Sequence, residues 1–167
     1  MSKKDLLIAP LGEAVLILVV SIIGWASHQP LIFASLGPTA YELVEKPKLP
    51  SARPYNIVVG HLIAVLAGFA AIFLTRAWSV PGVSVHGVPF LRVWAAVVAA
   101  LLTAFFTLLF KAAQPAALST TLLISLGLMQ TAQNGLMILA GVVLITLIGE
   151  PIRILRLKQI AEPPPTR

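Results

Sequence analysis

Long apolar runs separated by short polar punctuation organise the chain from Leu6 to Gly149. Residues 6–27 are apolar apart from Glu13, residues 57–75 carry one titratable side chain, His61, and residues 93–110 carry none. Each run approaches the ~20 residues that a helix needs to cross a ~30 Å hydrocarbon layer. The uncharged run 112–149 is too long for one crossing, at ~1.5 Å of rise per residue, so it must break. Its breakpoints are Gln114-Pro115 and the polar cluster Gln130-Thr131-Ala132-Gln133-Asn134-Gly135. This pattern predicts four spans, the last over about 135–149. It also predicts two short helices, over 31–42 and 119–130, that do not cross fully.

The punctuation repeats. Gln29-Pro30 leads into Ala34-Ser35-Leu36-Gly37-Pro38-Thr39-Ala40, and Gln114-Pro115 leads into Ala116-Ala117-Leu118-Ser119-Thr120-Thr121. The fold class expected is therefore an all-α membrane protein. It has four transmembrane helices, two short broken or re-entrant helices and an internal two-fold repeat. One transmembrane domain would cover 1–160, with repeats of about 6–77 and 90–150, followed by a cytoplasmic tail, 161–167. A span, a broken segment and a span, duplicated, is a common way to build a transport site at the bilayer midplane.

Composition agrees with a lipid-covered protein. The 167 residues are 58% hydrophobic and 11% charged, against about 25% charged in soluble domains. A domain of this size still exposes roughly 30% of its unfolded surface, so lipid must cover what the core cannot hide. Without cysteine there is no disulfide or thiolate chemistry. The net charge of +6 sits beside the spans and not in a stripe, which favours a membrane surface over nucleic acid. With four spans, Lys3, Lys4, Arg76, Arg92, Arg153, Arg156, Lys158 and Arg167 share one side, and Lys46, Lys48, Arg53 and Lys111 the other. Eight against four places both termini in the cytoplasm of a cell inner (plasma) membrane protein. Trp25, Trp78 and Trp94 fall at span ends, where indole rings favour the headgroup region. Lys3-Lys4 resembles the start of a signal peptide. The apolar run is long for one and lacks a clean cleavage site, so an uncleaved first span is expected. Residues 152–160 interleave cations with Ile and Leu and suit a short surface helix.

Two small-residue ridges predict close helix packing: Asn56/Gly60/Ala64/Gly68 and Ala96/Ala100/Ala104. Glu13 is either an intramembrane functional carboxylate or, if Pro10 starts the helix, a first-turn acid near the interface. His61 is a candidate proton-linked group or an interhelical hydrogen-bond partner. Asn56 and Arg53 would hold an anion, or else cap and snorkel. The candidate substrate-binding set is Gly37, Thr39, Arg53, Asn56, His61, Ser119 and Thr120. Backbone N–H groups at helix N-termini and neutral hydroxyls bind anions weakly enough to release them. The competing reading makes both segments interfacial turns whose hydroxyls bond their own backbones.

Leu36-Gly37-Pro38-Thr39-Ala40, Ala52-Arg53-Pro54-Tyr55-Asn56 and Gly60-His61-Leu62 resemble the HPP family of small integral membrane proteins over nearly the whole chain. The resemblance implies a multi-span protein and nitrite transport. Where the family has its name-giving His-Pro-Pro, this chain reads Gln114-Pro115-Ala116.

The leading functional expectation is a transporter or channel for a small inorganic anion such as nitrite. Its partners would be the lipid bilayer, the anion and further copies of itself, with a dimer as default, and no nucleic acid. The alternative is a structural or accessory membrane subunit. An enzyme is not expected, because no nucleophile–base pair, metal-ligand spacing or nucleotide loop occurs. No cofactor and no metal are expected.

Overall fold

The computed structural model describes residues 5–84 and 87–161. Six α-helices follow one another: α1 (Asp5–Ser27), α2 (Leu36–Glu45), α3 (Pro54–Leu74), α4 (Phe90–Leu109), α5 (Pro115–Ser125) and α6 (Ala132–Ala161). Four of them, α1, α3, α4 and α6, are long and apolar enough to cross a membrane. The expected tail over 161–167 lies almost wholly outside the described residues.

Prolines begin two helices and left-handed residues end three. Pro54 and Pro115 occupy the first turns of α3 and α5, where a missing N–H costs nothing. His28, Arg76 and Lys111 take positive φ (53°, 56° and 52°) just past the ends of α1, α3 and α4. That geometry closes the last turn and redirects the chain.

The two short helices are broken segments that carry the chain from one end of the bundle to the other between the four long apolar helices. Gln29 N–H donates to the Gly24 carbonyl, and Gly24 lies against Leu31, at the C-terminal end of α1. By Val44 the chain has reached Gly12, near the opposite end of the same helix. There Arg156 Nε donates to the Val44 carbonyl and Arg153 Nη1 to the Pro47 carbonyl. The second segment behaves likewise. Asn56, at the start of α3, holds the Lys111 and Ala113 carbonyls, while Gly68 meets Ile124 and Val83 N–H reaches the Leu126 carbonyl beyond the far end of α3. The chain therefore passes between the two ends of the bundle six times, and the halves 5–74 and 90–161 run in opposite senses.

This path redistributes the charges. Lys46, Lys48, Arg53 and Lys111 join Arg153, Arg156 and Lys158 at the end where α1 begins and α6 finishes, leaving Arg76 and Arg92 at the other. The four-against-eight grouping from the sequence is thus replaced by seven against two among the described residues. All described carboxylates lie on the N-terminal half of α1, on α2 or on the C-terminal half of α6. Trp25, Trp78 and Trp94 are exposed at the two-cation end.

Other expectations change in detail. Pro10 lies within α1 and does not start it, so Glu13 is not a first-turn acid. The last span and the surface helix over 152–160 form one continuous helix through Pro151. On α3 the ridge Asn56/Gly60/Ala64 is buried as predicted, with Gly68 against Ile124. On α4 the buried face is Arg92/Ala95/Ala99/Thr103/Thr107, whereas Ala104 is exposed and Ala96 and Ala100 are only half-buried. The buried face is one position out of register with the ridge Ala96/Ala100/Ala104 expected from the sequence.

Candidate polar centre between the broken helices

Seven buried side-chain atoms among the described residues have no hydrogen-bond partner: Glu13 Oε1, Ser35 Oγ, Glu42 Oε2, His61 Nε2, Gln114 Nε2, Thr120 Oγ1 and Ser125 Oγ. Buried polar groups are normally paired, so a set of this kind needs an occupant or a purpose. Packing contacts place four of them, Ser35, His61, Gln114 and Thr120, at a similar depth in the bundle, called a layer below. Leu36, next to Ser35, lies against Gly141 of α6. Val65 lies against Gly135, so His61, one turn earlier on the antiparallel α3, stands about one turn (~6 Å) from Gly135 towards Gly141. Gln114 touches Gly60, the neighbour of His61. Thr120 falls between Gln114 and Ile124, which meets Gly68. The layer therefore draws on both broken segments and on α3.

His61 is fully buried, and its Nδ1 sits 2.9 Å from the Ile57 carbonyl oxygen. A carbonyl only accepts, so Nδ1 carries the hydrogen, and in the unprotonated ring Nε2 presents a lone pair. Gln114 spends Oε1 on the Ala116 N–H, 3.2 Å away, capping α5, and its Nε2 donor is left over. Towards the many-cation end, Glu42 is buried beside Ser51 and Gln114. At the opposite end, the Arg92 guanidinium is fully buried and donates to the carbonyls of Pro81, Val80 and Ser125 and to Gln130 Oε1. Gly127 (φ 82°) and Gly82 cross over it, and a Cβ on Gly127 would lie 2.7 Å from both Arg92 Cζ and Gly82 Cα.

The sequence-predicted site residues divide. His61 and Thr120 reach the polar layer with an unspent atom each. Ser119 is half-buried. Thr39 is buried, but its hydroxyl donates to the Ser35 carbonyl at 3.0 Å. Asn56 Nδ2 serves the Lys111 and Ala113 carbonyls at 3.3 and 3.2 Å, so it clamps the α4–α5 connection. Gly37 and Arg53 are exposed, and a Cβ on Gly37 would meet nothing within 4 Å. Gln114, Glu42 and Arg92 were missed as site residues. Gln114 had a readable signal, a long polar side chain directly before a helix-starting proline. No group of three His, Cys, Asp or Glu side chains that could hold a metal occurs among the described residues.

The family model for the HPP transmembrane region matches residues 1–155. The chain belongs to that family. No curated protein and no solved structure gives a match. In this HPP chain, Gln114 is buried against Gly60, with its amide beside the interior layer.

Proposed function

We propose that this HPP-family protein is a transporter or channel for a small inorganic anion such as nitrite, passing through the layer between the two broken helices. The observation that carries the reading is the pair of unpartnered hydroxyls in that layer, those of Ser35 and Thr120. Neutral donors compensate an anion for lost water without holding it too tightly to leave. Arg76 and Arg92, at an end without described carboxylates, favour approach of an anion from that side. His61 and Thr120 line the route, Ser119 stands near its start, and Thr39 and Asn56 fix the segments that form it. Arg53 acts as a surface cation at the opposite mouth, and Gly37 lies on the outer surface of α2.

The grouping of seven cations against two supports cytoplasmic termini in a plasma membrane. A homodimer is the expected assembly. Anion flux into vesicles holding only the purified protein tests the function, with Thr120→Val as the partner variant. The accessory-subunit reading draws on the satisfied hydroxyls of Thr39, Thr103, Thr107 and Thr121, which serve packing alone. It takes over if wild-type vesicles pass no anion.

A further inference from the structure

Resting on that transport reading, we infer that His61 makes the passage of each anion obligatorily coupled to one proton, so that transport is electroneutral. An anion in this layer has no resident cation to meet. Among the elements packed against α3, α5 contains no titratable residue, and residues 132–149 of α6 and 93–110 of α4 contain none. The two 3₁₀ turns that touch α3, Pro50–Ala52 and Ala77–Ser79, contain none either. Arg92 on α4 is at the far end of the bundle, held by carbonyl oxygens. On α2 the ionisable side chains are Tyr41, Glu42 and Glu45, and of these Glu42 lies beside Gln114 at the edge of the layer.

Among the described residues, the only group at this depth able to become positive is therefore His61. Its Nδ1 hydrogen is committed to the Ile57 carbonyl, which orients the ring and leaves Nε2 as the open position. A lone pair there repels an anionic oxygen. A proton on it turns the same atom into a charge-assisted donor. Burying an unpaired charge is strongly unfavourable, whereas the imidazolium–anion pair is neutral as a whole. In balance, one proton adds to Nε2 as one anion enters, and both leave on the other side. No bond of the anion is broken.

The test uses vesicles carrying the full-length protein and a trapped pH-sensitive dye. An inward nitrate gradient is imposed, nitrate being the anion of a strong acid that does not cross lipid as the free acid. The lumen is expected to acidify in step with anion uptake, and clamping the membrane potential with potassium and valinomycin should leave the rate unchanged. In His61→Gln, which retains hydrogen-bonding groups but cannot take the proton, uptake should fall by roughly tenfold or more through the unpaired charge. Uptake without acidification, or uptake accelerated by an inside-positive potential, overturns the inference while leaving the transport reading intact. Wild-type vesicles that pass no anion above empty ones bring down both. The wild-type measurements decide the matter even if the variant folds poorly.

Discussion

Gly60 and Gln114 meet at the junction between the third helix and the second broken segment. A Cβ on Gly60 would stand 2.8 Å from the Cβ of Gln114 and 3.0 Å from the carbonyl oxygen of Ala112. These neighbours are main chain, or fixed directly to it, and cannot swing aside. The absence of a side chain at position 60 is what lets the start of α5 lie inside the bundle. Gly60→Ala is expected to destabilise the protein by about 1–3 kcal/mol through overpacking, read as a lower thermal midpoint in detergent. A midpoint equal to wild type would mean that this contact is looser than described.

The register of α4 gives a paired test. Ala99 is fully buried and Ala104 is exposed. Ala99→Leu should lower the thermal midpoint markedly, by a cost of about 1–3 kcal/mol. Ala104→Leu should change it little, since an extra apolar side chain facing lipid displaces only more lipid. The reverse order would restore the Ala96/Ala100/Ala104 face read from the sequence.

Much of the fold was legible because lipid imposes a length rule, and runs of uncharged residues report it directly. The repeat was legible in its twin Gln-Pro pairs. The path of the short segments was hidden because the non-helical residues 29–35 add length ahead of the ten-residue α2, and counting helical rise alone (~1.5 Å per residue) leaves that length out. The α4 face was ambiguous because small residues occupy both candidate registers. Arg92, Thr103 and Thr107, which must bury their polar groups in protein, were the discriminating positions. Of the site, His61 and Thr120 were readable as polar residues in apolar surroundings. Gln114 and Glu42 depend on contacts between segments distant in sequence.

Asn56 holds the chain between α4 and α5 by two bonds from one amide. Asn56→Leu removes both and leaves the Lys111 and Ala113 carbonyls short of partners. A loss of about 1–3 kcal/mol is expected, along with faster hydrogen exchange confined to residues 110–116. Exchange rising uniformly over the protein would argue against a local clamp.

The six-pass path predicts a specific pattern of accessibility. The chain has no native cysteine, so single substitutions report cleanly. Lys48→Cys should react with an impermeant thiol reagent from the same face of the membrane as Lys158→Cys, and Ser79→Cys from the opposite face. Labelling of positions 48 and 158 from opposite faces would show that residues 29–45 do not cross.

The central claim, that a small anion passes through the layer shared by the two broken helices, is tested most directly by flux in vesicles containing purified protein alone. Nitrite and nitrate uptake should exceed that of empty vesicles. Thr120→Val, which removes an unpartnered hydroxyl without changing the shape of α5, should reduce uptake several-fold while its thermal midpoint stays close to wild type. Ser119→Ala, at a half-buried position, should reduce it less. Uptake no greater than in empty vesicles, or a Thr120→Val variant that transports as the wild type does, would contradict the account.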